Sequence, residues 1–410
     1  MDKKYFTVFL LIILSLFHIR YGLIPSWNNI NSDFPNYYTS SRLLLERTDL
    51  SRIYNDKWFQ EQIYKFGINE GGKFSPFPPP TVFVMIPVSK FSPLTAKRIF
   101  LVFNNILLLA TAYIFMKISP FSYIFCLNIT LLSGAALLNT LLFGQLYLLL
   151  LFVTVLGYYY LMKEKEFSAG ILWGIGAVIK YFPFILIPVL IIKRKWRALG
   201  IIILTVILIN FASLLILGKE VYTQFFSKVL FSHLNGNLSG QSDFAVEFQS
   251  WNSMLRRLFI FNPVENRNPL INSPFLFETL RGFIYMLFIG TTILVLIKIK
   301  SDRNYYAYSA SLLTTLLLVL SPASATYHLM LLSFSLILML SRNNKSDQDI
   351  YNILFMTVYI LIAFLPFFVF KLPISRSNVL PSYYHLWLLT IFFMLSVSFI
   401  MKSDRSPDSF

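Results

Sequence analysis

The chain has 410 residues, 56% of them hydrophobic and 13% charged, with a formal net charge of +16 and a mean hydropathy of +0.64. The long apolar runs exclude a membrane β-barrel, whose strands alternate in short segments, and no soluble domain or internal repeat stands apart from them. The positive balance does not imply nucleic acid, because no basic tract or RNA-binding fold accompanies it, and the single cysteine, Cys126, excludes an internal disulfide.

Apolar runs of about 18–22 residues, each sufficient for a hydrocarbon core of ~30 Å, predict an all-α polytopic membrane protein. The first, Tyr5 to Leu23, follows Lys3 and Lys4 without a small-residue cleavage site, and reads as an uncleaved helix with a cytoplasmic N-terminus. Pro78 to Phe91 opens on three prolines and is too short to span comfortably, so a helix lying in the outer interface is expected there; the alternative makes 79–92 a short crossing and 167–192 one long one. Further full crossings are expected near 98–117, 121–138, 141–161, 199–217, 276–297, 304–320, 324–341, 350–370 and 381–401, about ten in all.

Between them, Phe167 to Ile192 is apolar except for Lys180, with Pro183 three residues later and charge clusters at both ends (163–166 and 193–197). A lone ammonium at membrane depth costs roughly 2.5–3.5 kcal/mol, so it points to a bound anionic group. A re-entrant hairpin of two half-helices with Lys180 at its tip accounts for the pattern. This topology assigns 16 of the 35 Lys and Arg residues to short cytoplasmic segments, as the positive-inside rule expects, and leaves both termini cytoplasmic. The chain is then a single integral membrane domain, 1–410, in which the outer loops 24–97 and 218–273 form a cap over chemistry at the outer surface.

Candidate polar residues follow in chain order. Asp33 opens the first outer loop among aromatic residues, with Tyr37, Tyr38 and Arg42 beyond it. A partly desolvated carboxylate suits a general base, and the alternative is that Asp33 caps the helix expected over 37–45. Gln145, in GQLY at 144–147, can bond a ligand hydroxyl or a neighbouring helix. Gln249 and Ser250, with the apolar face of Trp251, suit a sugar; Arg256 and Arg257 suit phosphate, or snorkel from an amphipathic helix. His328, near the outer end of a crossing, can donate to a phosphate oxygen or to a carbonyl. No metal-ligand spacing occurs, so no bound metal is expected.

In this order the segments resemble glycosyltransferase family 87, of the C-type superfamily of integral membrane glycosyltransferases. The resemblance covers roughly 30–335 and rests on DFPNYYTSSRLLL with Asp33, the aromatic-proline run from Ser75, GQLYLLLL, AGILWGIGAVIKYFPFILIPVLIIKRKWRALG with Lys180 and Pro183, Gln249-Ser250, and the His328 segment. The chain departs from the family pattern at Tyr147 and Phe248, where asparagine is usual, and at His328, which stands singly where two histidines are frequent. The resemblance implies a hexosyltransferase in a plasma membrane, the bacterial inner membrane. It would move a monosaccharide, often mannose, from a polyprenyl-phosphate donor to an extracytoplasmic glycolipid or polysaccharide, with inversion and without a cofactor. Asp33 is then the expected catalytic base. Lys180, His328, Arg256 and Arg257 are expected at the donor phosphate, and Tyr37, Tyr38, Arg42, Gln145, Gln249, Ser250 and Trp251 at sugar or acceptor. A lipid-linked sugar flippase is the alternative that a buried lysine in a broken helix also suits. An O-antigen-type ligase fits less well, because its large outer loop usually comes late in the chain.

Overall fold

The computed structural model describes residues 3–234, 242–342, 349–367 and 378–403. Most of the Asn/Gly/Ser-rich section at 235–242 and the last residues of the expected 350–370 crossing lie outside the described residues. The architecture is all-α; among the described residues the one bridge, Asn262 with Asn266, stands isolated. The chain packs as two compact units, the first formed by Met1–Leu132, Ala136–Ile191 and Lys195–Leu234, the second chiefly by Asn235–Phe410.

In the first unit, α1 (Tyr5–Asn28) is a continuous apolar helix with a π-helical stretch at Ile19–Leu23. Two helices of the outer loop follow, α2 (Phe34–Leu45) and α3 (Asp56–Lys65). Pro35 pre-sets the first turn of α2, and the Asn55 side chain accepts from Trp58 N to cap α3. After them come α4 (Pro93–Ile118), α5 (Tyr123–Leu131), α6 (Ala135–Leu142), α7 (Tyr147–Met162), α8 (Glu166–Ile179), α9 (Ile187–Ile192) and α10 (Trp196–Leu217).

The second unit holds α11 (Trp251–Phe259), α12 (Pro274–Lys298), α13 (Tyr305–Leu320), α14 (Thr326–Leu340), α15 (Asp349–Phe367, ending in a 3₁₀ turn) and α16 (Tyr384–Ser403). Its α11 is amphipathic: Leu255 and Phe259 bury against Phe277 of α12, and Arg256 and Arg257 lie on the partly exposed side.

Six of these helices are long and apolar enough to cross a membrane, and seven if α5 and α6, bent by 72°, form one broken span. The expected ten full crossings are therefore not matched by length. Tyr147–Met162, Tyr305–Leu320 and Thr326–Leu340 are apolar but too short to cover ~30 Å at 1.5 Å per residue. The Pro78–Phe91 segment also differs from an interfacial helix. It forms a 3₁₀ turn at Pro79–Phe83 and one helical turn at Ile86–Ser89, with Pro79 to Val82 buried inside the unit. The prolines remove donors that a longer helix needs. The next helix accordingly begins at Pro93, five residues before Arg98, and takes Lys97 into its buried face.

The hairpin is visible in the packing of α8. Trp173 Nε1 donates to the Thr154 carbonyl (3.0 Å), and a Cβ on Gly176 would meet Val153, so α7 and α8 run antiparallel. Gly170 lies against Ala198 and Ile201, and Gly174 against Ile202 and Thr205, so positions advance together and α8 and α10 run parallel. Two parallel helices in sequence require a returning leg, which 180–195 supplies. Lys180 leaves the helix in an extended conformation (φ −152°, ψ 134°), and the Pro183 ring folds back onto Gly176. At the other end the Lys195 ammonium meets the Glu166 carboxylate at 3.1 Å, closing the base of the hairpin. Small residues make this possible, since a Cβ on Gly170 would stand 2.8 Å from the Ala198 carbonyl oxygen.

Both ends of the hairpin should thus face one side of the membrane. Because the sole native cysteine, Cys126, is buried, single cysteines at the exposed positions Glu164 and Arg197 can be labelled cleanly. A membrane-impermeant thiol reagent is expected to reach both from the same side; labelling from opposite sides would turn the hairpin into a crossing.

Candidate active site

The site lies at the pole of the first unit opposite the Glu166–Lys195 pair and is built from three turns. Ser32, in the left-handed region (φ 51°), turns the chain into α2 and presents Asp33 at its N-terminal boundary. Asp33 occupies the capping position, yet its side chain makes no capping bond. Instead, Oδ2 accepts from Gln145 Nε2 (2.5 Å) and Ser32 Oγ (3.3 Å), and Oδ1 accepts from Asn36 Nδ2 (3.3 Å).

The second turn ends α6. Gly144 takes the left-handed conformation (φ 64°), its N–H donates to the Leu141 carbonyl (3.2 Å), and Gln145 N–H donates to Thr140 (2.9 Å). This is a Schellman closure, and it fixes Gln145 directly after the glycine. The Gln145 side chain is 1% exposed.

The third turn is the hairpin tip. Lys180 Nζ donates to Gln145 Oε1 at 3.2 Å, and Tyr37 OH donates to the same oxygen at 3.0 Å. An ammonium can only donate and a carboxylate can only accept, so the chemistry of its neighbours orients the amide: oxygen to Lys180, nitrogen to Asp33. The ammonium also lies 4.3 Å from the Tyr147 ring centroid and 5.5 Å from that of Phe77, faces that favour a cation. Thr81, in the buried turn after the prolines, donates to the Ile179 carbonyl (3.4 Å) beside the tip. Asp33 and Lys180 are both half-buried rather than fully enclosed.

Burial raises the proton affinity of Asp33 above the ordinary carboxylate range. The charge of Lys180 and the bonds from Gln145, Ser32 and Asn36 oppose that rise.

Of the expected residues, Asp33, Tyr37, Gln145 and Lys180 come together here. Tyr38 and Arg42, on the same helix, are turned to other tasks: Tyr38 OH donates to the Phe91 carbonyl (2.8 Å), and Arg42 pairs with Glu46 (2.6 Å) and donates to Ser89 O (3.0 Å). In the second unit, the Gln249 amide donates to Val246 O and Ser382 O and accepts from His385 N, which ties three chain segments. Ser250 caps α11 and donates to Pro322 O (2.8 Å), and Trp251 packs edge-on against Trp387. Arg256 stacks on Phe277 (5.0 Å) beside Asp243, and Arg257 donates to Phe244 O. His328 is buried in the 3₁₀ opening of α14 against Tyr327.

Sequence reasoning missed three contributors: Asn36, which joins Asp33 to the backbone of Lys73, Phe77, and Lys97. Asn36 was discoverable as the polar residue one helical turn after Asp33. Among the described residues no group of three or more His, Cys, Asp or Glu side chains is placed to hold a metal ion.

The first unit thus joins a carboxylate, a carboxamide and an ammonium at one pole of an all-helical scaffold with helices long and apolar enough to cross a membrane. Residues 76–322 match the family model of glycosyltransferase family 87, and the chain belongs to that family and is a glycosyltransferase. No curated protein matches the chain significantly. Gln145 and Lys180 lie inside the matched residues, and Asp33 and Tyr37 upstream of them.

Gln145→Ala leaves Lys180 and Asp33 each without one charge-assisted partner. Such bonds contribute ~1.5–3 kcal/mol, reduced here by partial exposure, so unfolding in detergent is expected to show a loss of roughly 1–2 kcal/mol. An unchanged midpoint would mean that the bridge carries no stability.

Proposed function

We propose that this glycosyltransferase moves a hexose, with mannose the first candidate, from a polyprenyl-phosphate donor to a hydroxyl of an extracytoplasmic glycolipid or glycan. The reading places the reaction on the outer face of a plasma membrane and inverts the anomeric centre. The observation that carries it is the joining of Asp33 to Lys180 through one carboxamide, which sets a proton acceptor and a cation at two ends of a single site.

The chemistry divides between them. The donor's leaving group is a phosphate monoester, which needs positive charge as its oxygen departs rather than a strong acid. In this reading the Asp33 carboxylate takes the acceptor's hydroxyl proton while that oxygen bonds to the anomeric carbon. The bond from that carbon to phosphate breaks on the opposite side, and its electron pair leaves with polyprenyl phosphate, facing the Lys180 ammonium. An ammonium carries three donors, so Lys180 can keep the Gln145 bond and still meet phosphate oxygens. The acceptor proton remains on Asp33 until solvent removes it.

Purified protein supplied with labelled polyprenyl-phosphate mannose and candidate acceptors is expected to yield a new glycoside; lipid movement without bond formation would favour a flippase instead. Asp33→Asn should reduce turnover by ~10²–10⁴-fold with donor binding retained, and near-normal turnover would remove Asp33 from the base role. Lys180→Ala should weaken donor binding by ~30-fold or more, the lower end of the ~2–5 kcal/mol lost when a close charge pair is truncated. An unchanged donor affinity would leave the hairpin tip with an architectural task only.

The pH dependence has a definite sign. Since the base must be ionised and burial raises its proton affinity, turnover should fall as pH drops through a value above the ordinary carboxylate range. Gln145→Ala removes a bond that favours the ionised form, so its acid limb should lie at still higher pH; a limb at or below the parent's would contradict the assignment.

A further inference from the structure

Lys97 is 1% exposed on α4 and belongs to none of the roles above. Its ammonium donates to the carbonyls of Leu141 (2.9 Å) and Leu142 (2.8 Å), the last two residues of α6, and lies 5.2 Å from the centroid of the Phe34 ring. Those carbonyls belong to the helix end that the Gly144–Gln145 turn closes, where orphan acceptors and the negative end of the helix dipole favour a cation. Phe34 is the residue after Asp33. Gly144 is wedged between the two: a Cβ there would stand 2.7 Å from Phe34 Cβ and 3.0 Å from Lys97 Nζ. One buried ammonium thus touches both turns that deliver the acid and the carboxamide.

We infer that Lys97 is a positioning residue: it clamps the end of α6 against the start of α2 and so holds the Gln145 carboxamide on Asp33. This rests on the reading of Asp33 and Gln145 as active-site groups, but not on which donor is used or on Asp33 being the base. A lysine that merely caps a helix would support folding without controlling the bond from Gln145 to Asp33.

The test reads that bond directly. The carboxyl infrared band that disappears in Asp33→Asn can be titrated in the purified full-length protein without any substrate. The charged groups whose fields reach Asp33 are Lys180, Lys97 and Lys73, with Gln145, Ser32 and Asn36 as hydrogen-bond donors. Gly144→Ala keeps every charge while disturbing the wedge, and Lys97→Met removes the clamp while keeping its bulk. Each is expected to move the Asp33 titration up by about half a unit or more, because the donated bond weakens. In the Gln145→Ala background Gly144→Ala should move it no further. Lys97→Met should keep only the smaller part due to its own charge.

A folded variant with an unmoved titration, or equal shifts in both backgrounds, would overturn the inference. Should Gly144→Ala fail to fold, the Lys97→Met comparison in the two backgrounds decides alone. Where transfer is measurable, Lys97→Met should lower kcat by about 10-fold or more with KM nearly kept, as misplacement of a catalytic group does. The double variant with Gln145→Ala should then lose no more than Gln145→Ala alone. Full multiplication of the two losses would separate Lys97 from Gln145, whereas full activity of Asp33→Asn would sink the base assignment and leave the clamp standing.

Discussion

The Gln145 carboxamide is the joint on which this site turns. It offers its oxygen to Lys180 and Tyr37 and its nitrogen to Asp33, so one planar group sets the relation between a carboxylate and an ammonium from distant parts of the chain. A direct carboxylate–ammonium pair at this position would spend both charges on each other. On the proposed reading, a carboxamide between them leaves the carboxylate to take a proton and the ammonium to face an anion. The aromatic faces of Tyr147 and Phe77 add to this by favouring the ammonium without introducing a competing negative charge. Tyr147, which departs from the family pattern, has a definite task here as the floor beneath Lys180.

Precision of this kind needs rigid supports, and each of the three turns has one. The α6 end is closed by two backbone bonds through a left-handed glycine, the α2 start by proline and buried aromatic packing, and the hairpin tip by Pro183 seated on Gly176. The hairpin is held at its base by the Glu166–Lys195 pair, and along its first leg by glycines that let α10 approach to backbone contact. The site-bearing helices α7 and α8 are shorter than full crossings: α7 begins only after the Gly144–Gln145 turn, and α8 stops at Lys180.

The legible part of this arrangement was the part written as a conflict with its surroundings. Lys180 is conspicuous because an ammonium interrupts 26 apolar residues, and the charge clusters on both flanks already imply a chain that turns back. Asp33 is conspicuous as an acid among aromatic residues. Lys97 was hidden for the opposite reason: beside Arg98, and just after Lys90, it reads as part of the basic rim of a crossing. Only the earlier start of α4 at Pro93 puts it inside. Gln249 and Ser250 illustrate a second limit. Their side chains answer backbone groups at Ser382, His385 and Pro322, more than seventy residues away in sequence, and no local pattern reveals such partners. The crossings expected at 121–138 and 141–161 came out shorter because hydropathy continues through turns where the helix breaks, as the 72° bend between α5 and α6 demonstrates, whereas α1, α4, α10 and α12 are longer than expected.

The clasp between Glu166 and Lys195 also bears on how the chain is laid into its bilayer during synthesis. A 14-residue leg rises only ~21 Å, and its tip carries an ammonium, so α8 emerging alone has neither the reach nor the apolar continuity to be released sideways as a stable segment. Beyond α7, already made, it gains a second neighbour, and Glu166 its counter-charge, once α10 has followed, since the residues that receive Gly170, Gly174 and Glu166 all lie between 195 and 205. The hairpin that carries Lys180 is therefore complete only after the start of α10 has been made.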